Sequence, residues 1–196
     1  MFELTEAQFH SLLVIGIDVA SLAASARRAG YHVYAVDYFG DLDLKRLGCE
    51  NRSIIKQQVG ETCGQLDKNF SSETLLKLAK GLHRRVEIDA VLLASGLDDC
   101  PHVLSELHDL IPILGNRPSV IRGVRDRMRF FKELDRLRIP HPETAIVKNT
   151  KEAKREAKNI GYPVVIKPSK SFVGAGIRKA ENPQELGQAF QEVTHL

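Results

Sequence analysis

The chain reads as an α/β protein: an open parallel sheet with helices on both faces, followed by a smaller α+β unit. Two observations carry that reading. Up to about residue 117, short apolar runs alternate with helix-length amphipathic stretches, the pattern of strand–helix–strand units in a parallel sheet. Beyond residue 117 the texture changes to charged helices, short strands and proline breaks, the pattern of paired strands with helices on one side. Two domains follow, residues 1–117 and 118–196, with the joint at Asn116–Ser119.

The first element is Ser11–Gly16, SLLVIG, a short apolar run ending in glycine, which predicts a buried parallel strand. Ala20, Ala23, Ala24 and Ala26 follow at helical spacing, and Gly30 supplies the stop. Tyr31–Asp37, rich in β-branched and aromatic residues, predicts a second strand. Tyr38–Asp43 reads as a loop, and Ser53–Val59 fits either a strand or a helix. Ser71 or Ser72 caps a helix to about His83. Asp89–Ser95 is another buried strand, Pro101 opens a helix to about Leu110, and Ile111–Leu114 is a short strand.

In the second part, Val120–Leu137 predicts one charged helix with Val124, Met128, Phe131 and Leu134 near one face. Ile139, Pro140 and Pro142 end it, and Glu143–Val147 predicts a strand. A charged helix over Asn149–Ile160 stops at Gly161. Tyr162–Lys167 predicts a strand, Pro168–Gly176 a loop, and Ile177–Ala180 a returning strand. Asn182–Pro183–Gln184–Glu185 has the cap, first-turn proline and N3 glutamate of a helix start, and that helix runs to about Val193.

Composition narrows the function classes. Over 196 residues the net charge is only +3, with Lys and Arg spread along the chain, so no nucleic-acid or membrane partner is expected. Cys49, Cys63 and Cys100 have unrelated spacings, which argues against a disulfide framework and for a reducing compartment. Cys100, His102 and His108 lack the paired spacing of a metal site, so none is expected there. The acidic N-terminus MFELTEAQFH and the short apolar run Leu12–Ile17 predict neither a leader nor a membrane span, and a cytoplasmic protein is expected.

The chemistry concentrates in Gly161–Ile177, GYPVVIKPSKSFVGAGI. Lys167 ends an apolar strand and is expected to point away from the face that Val165 covers. Ser169, Ser171, Gly174, Ala175 and Gly176 lie in the loop that follows. A cation there can meet phosphate, and small residues let backbone N–H groups approach phosphate oxygens. No GK[ST] closes the loop, so it is not a P-loop. A surface hairpin with an ordinary lysine is the plainer alternative.

The run Tyr-Pro-Val-Val-Ile-Lys-Pro, the following Ser169 and the Gly174–Ala175–Gly176 turn resemble the ATP-grasp superfamily, as in biotin carboxylase and carbamoyl-phosphate synthetase. The resemblance implies that Lys167 binds ATP phosphate and that the loop from Ser169 to Gly176 folds over it as a lid, more mobile than the strand before it. A second match lies upstream: Asp126–Arg127 in DRMRF, closed by Arg138–Ile139–Pro140, implies that Arg127 is another phosphate ligand. Arg122, Arg125 and Arg129 read instead as a solvated helix face. The segment from Leu12 to Asp43 resembles the Rossmann-like domain that precedes ATP-grasp in predicted ATP-dependent carboligases. ATP and Mg²⁺ are the implied cofactors, with a small carboxylate and an amine or similar nucleophile as substrates; a homo-oligomer is compatible with this. The family's adenine hinge and acidic Mg²⁺ ligands come after the last helix, so the chain is expected to be an N-terminal piece of the enzyme, inactive by itself.

In the first domain, Gly16–Ile17–Asp18 and Ser21 stand where a dinucleotide fingerprint would need glycines. Asp18, Asp37, Asp98 and Asp99 are candidate substrate-binding residues at the carboxyl ends of strands. Asp37 could equally be a strand-end turn acid, and Asp98–Asp99 could either face an amine-bearing substrate or cap the helix after Pro101. Two other classes compete with a ligase: a dinucleotide-binding protein, opposed by the missing glycines, and a non-catalytic binding module.

Overall fold

Ser11–Ile15 forms β1, one of the two inner strands of a parallel sheet. It pairs with β2 (His32–Asp37) on one side and β4 (Ala90–Leu93) on the other, and β3 (Glu50–Ser53) adds to β2. The order is β3-β2-β1-β4. This computed structural model describes residues 9–57, 70–169, 174 and 176–194. The chain divides into two compact units, Met1–Arg125 and Asp126–Leu196.

Alternation along β1 explains why helices cover both faces of the sheet. Leu12 and Val14 join Ala23 and Ala26 of α1 (Ala20–Arg28) and Leu44 of α2 (Leu42–Arg46) in one buried cluster. Leu13 and Ile15 face the other way, onto Leu75 and Leu82 of α3 (Ser72–His83) and Leu104 and Leu107 of α4 (Pro101–Leu110). The expected open α/β sheet is therefore present. Helix α5 (Pro118–Arg125) packs with α4 and ends the first unit.

The second unit contains α6 (Arg127–Arg136), α7 (Thr150–Ile160), the antiparallel strands β5 (Val164–Ile166) and β6 (Arg178–Ala180), and α8 (Pro183–Thr194). Its buried cluster is small: Ala153, Ala157, Ala180 and Leu186, with Val147, Val164, Ile166 and Phe190 packed against them. The capping logic read from sequence operates here. Asn149 accepts from Glu152 N at 2.9 Å, and Asn182 accepts from Glu185 N at 3.0 Å while Glu185 accepts from Glu181 N at 2.9 Å.

Several elements differ from expectation. The single helix over 120–137 is two helices, because Asp126 leaves the helical region (ψ 93°) and caps α6 by accepting from Arg129 N at 3.1 Å. Residues 143–147 form no strand; a strand needs a ladder partner, and that stretch has none among the described residues. The strand expected at Ile111–Leu114 is a single bridge, Val91 to Ile113. The loop at 38–43 gives way at Asp41, which caps α2, and the strand beside β2 ends at Ser53 rather than starting there. Ser71 stands at the N-cap of α3, but its hydroxyl goes to Glu73 instead of a backbone N–H.

Lys167 also needs correction. Residues two apart on a strand share a face. Val164 and Ile166 pack into the cluster, whereas Val165 is 55% exposed and Lys167 is exposed on the same side. The lysine therefore lies beside Val165, on the open face of the hairpin.

Candidate functional site

The second unit carries the phosphate-type candidates. Lys167 stands one residue beyond β5 and Ser169 two further, both exposed. Gly174 and Gly176 have φ of 77° and 75°, backbone conformations that glycine adopts without strain. Ser171 and Ala175 lie outside the described residues. Arg127 is the first residue of α6, half-buried, while Arg129 is exposed one half-turn on. Arg127 and Lys167 thus stand on separate elements of one unit. No acid occupies the first turn of α6 beyond its Asp126 cap. Cations there oppose the partial positive charge of the helix N-terminus, at a cost of about 0.3–1 kcal/mol each that a bound anion would relieve.

The four candidate carboxylates of the first unit have separate fates. Asp18 is exposed after β1 and accepts from Ala20 N at 3.3 Å. Around it the strand ends are in close contact. Ile17 N donates to Ser95 O at 2.8 Å, and a Cβ on Gly16 would meet Ser95 O at 2.7 Å. Asp37 is 2% exposed, accepts from Gly40 N at 2.8 Å and is hydrogen-bonded by the Ser53 hydroxyl. Burial pushes its pKa up, against the lowering pull of Ser53 and Gly40. Its carboxylate is spent inside the fold, which makes it the strand-end turn acid and not a group open to ligand.

The capping reading of Asp99 is corrected. The N-cap of α4 is Cys100, without a side-chain cap bond. The Asp99 carboxylate instead receives two hydrogen bonds from the guanidinium of Arg125, one of them Nε to Oδ1 at 2.7 Å. Asp98 lies half-exposed beside it and adds to the field that keeps Arg125 charged. Arg125 is accordingly no solvated bystander: it ends α5 in a bidentate pair with a carboxylate only 10% exposed. Nothing in the local pattern could reveal a partner 26 residues away. The imagined metal ligands are likewise engaged elsewhere, His102 Nε2 with Glu73 at 2.8 Å and His108 Nδ1 with Ile113 N at 3.3 Å.

A parallel sheet unit followed by a helix–hairpin–helix unit, with a lysine at the strand end and a glycine turn after it, defines the front of an ATP-grasp fold. Comparison with known proteins agrees. Residues 126–196 match the family described as carbamoyl-phosphate synthase L chain, ATP binding domain. The carbamoyl phosphate synthase large chain of Methanobrevibacter smithii is 32% identical over 160 residues, 76% of this chain and 15% of that protein. The large chain of Vibrio vulnificus is 34% identical over 86 residues, 44% of this chain and 8% of that protein. Biotin carboxylase of Campylobacter jejuni, solved as a β-γ-ATP complex, superposes with a TM-score of 0.71 at 22% identity, over 96% of this chain and 42% of that one. N5-carboxyaminoimidazole synthetase of Staphylococcus aureus, complexed with ADP, gives 0.68 at 17% identity, over 94% and 45%. The chain belongs to the ATP-grasp superfamily, and it spans 8–15% of the length of these curated relatives. No helix among the described residues is long and apolar enough to cross a membrane.

Proposed function

We propose that this chain supplies the front of an ATP-dependent ligase, in which ATP phosphorylates a small carboxylate and an amine or similar nucleophile displaces the phosphate. The observation that carries this is the match of residues 126–196 to an ATP-binding family, over the stretch where Lys167 leaves β5 exposed ahead of the glycine turn. Lys167 and the positive-φ Gly174 and Gly176 fit a polyphosphate: the ammonium neutralises charge, and glycine lets backbone N–H groups approach. Arg127 would supply the second cation, at a helix end where an anion is favoured. Val165, exposed beside Lys167, offers an apolar surface that shields the charge contact from water. Mg²⁺ finds no group of three acidic, histidine or cysteine side chains among the described residues, so no ligand to it is assigned.

Calorimetry with ATP tests the reading. Lys167→Ala and Arg127→Ala should each weaken binding roughly ten- to a hundredfold, the value of about 1.5–3 kcal/mol for a charge-assisted hydrogen bond. Arg129→Ala, exposed and screened, should change it less than about twofold. Equal losses in all three would mean a diffuse basic patch. Detection of ADP release by the full-length enzyme with a panel of carboxylates and amines would then identify the substrates.

A further inference from the structure

The turn that leaves α6 holds an arrangement the phosphate chemistry does not use. Arg138 has φ 55°, the left-handed conformation that glycine adopts far more cheaply. Its N–H reaches Asp135 O at 3.0 Å, and the N–H of Ile139 reaches Leu134 O at 2.9 Å, the paired bonds of a Schellman helix end. An arginine in that position is strained, and such a conformation persists only where its surroundings hold it.

His141, three residues further on, folds back onto the same helix end. Its Nε2 lies 3.0 Å from Asp135 Oδ1, on the last turn of α6, and its Nδ1 lies 3.0 Å from Pro142 O. Its ring packs against Phe131 with centroids 5.0 Å apart. A carboxylate and a carbonyl only accept hydrogen bonds, so both ring nitrogens must donate. Only the imidazolium does that; a neutral ring always leaves one nitrogen facing an acceptor without a proton. The other charges on that part of α6, Glu133 and Arg136, pair with each other, and the Pro142 carbonyl also accepts from the Thr144 hydroxyl at 2.9 Å. Asp135 is thus the charge that acts on the ring.

We propose that His141 is a proton-operated clasp: the imidazolium ties residues 138–142 back onto the end of α6 and holds Arg138 in its left-handed turn, and loss of the proton releases them. The Asp135 hydrogen bond, followed by that of the Pro142 carbonyl, raises the histidine pKa above its ordinary value. A raised pKa means the clasp stabilises the folded turn fully below the unfolded value and is lost as pH rises through the folded value. Opening therefore falls above the ordinary histidine pKa of about 6.5.

The experiment uses the 196-residue chain. Proton–nitrogen NMR follows the His141 ring and the amides of Arg138 and Ile139 between pH 5 and pH 9, with exchange rates corrected for intrinsic base catalysis. The ring should titrate above the free-histidine value of about 6.5. The amides should share its inflection and lose protection several-fold above it. Asp135→Asn should lower the ring pKa, and His141→Gln should abolish the amide inflection while the α7 and α8 amides stay unchanged. A ring titrating at or below the free value would overturn the clasp. So would pH-independent amides in the unmodified chain, or an inflection that survives in His141→Gln.

Discussion

The sheet unit buries Leu13, Ile15, Leu75, Leu82, Leu104 and Leu107 completely, whereas the hairpin unit's buried cluster is three alanines and Leu186. In the first unit, apolar side chains from β1 point into clusters on both faces. In the second, one face of the hairpin packs on α7 and α8, and the other leaves Val165 55% exposed. No residue of α6 is buried, and Met128 is 51% exposed. Burial contributes about 25 cal/mol per Å² of apolar surface, so cooperative stability concentrates in the sheet unit. The hairpin unit leaves its open face to the residues proposed to meet ATP. The division is physical: a parallel strand needs cover on both faces, and a strand that presents a lysine to a ligand keeps one face free.

That contrast can be broken by substitution. Leu13→Ala, at 0% exposure on inner strand β1, should cost about 2–5 kcal/mol in urea unfolding, whereas Val165→Ala should cost less than about 0.5 kcal/mol. A large loss from Val165→Ala would mean that its face is packed and the hairpin is not open. Arg138→Gly tests the strained helix end. It should raise stability by about 1 kcal/mol, because glycine enters the left-handed region without strain. A loss would show that the arginine side chain contributes more than its backbone conformation costs.

The smallest expected effect concerns Asp37. Its folded pKa is raised by burial, so ionisation opposes folding. The sign follows: stability is greatest below the unfolded pKa and falls as pH rises through the folded one. Asp37→Asn, whose one oxygen can accept from Gly40 N while its amide NH2 donates to the Ser53 hydroxyl, should match the parent chain in acid and equal or exceed its stability at neutral pH. A variant less stable at neutral pH than in acid, relative to the parent, would show that the charge itself holds the β2–β3 edge together.

Much of this was legible one-dimensionally because the signals are local. Pro101 at the start of α4, the Asn182–Glu185 capping box and the Gly161 stop each act within a single turn, and each is where the chain places it. Periodicity failed where local and non-local demands compete. The helical pattern over 120–137 contains no proline and its one glycine, Gly123, stays inside α5, yet Asp126 interrupts it with its own cap. The β-like 143–147 stretch has no ladder partner among the described residues, and a strand is stable only with its neighbour. Of the candidate site, Lys167 and the glycines were readable as a strand end and its turn. That Lys167 shares the open face with Val165 follows from the two-residue repeat of a strand, and the packing of Val164 and Ile166 settles which face that is.

By itself the sequence determined the alternation of β1, α1, β2 and β4, the order of the two units and the residue types at the end of β5, because hydrophobic period and capping are properties of neighbours in the chain. Tertiary structure alone decided which polar groups are spent on the fold. Asp37 is taken by Ser53 and Gly40, Asp99 by Arg125, and both nitrogens of His141 face acceptors. Each of these choices depends on where the backbone brings a partner. A charge loses hydration as it is buried, so its state is set by the atoms within about 3 Å of it, whatever their distance along the chain.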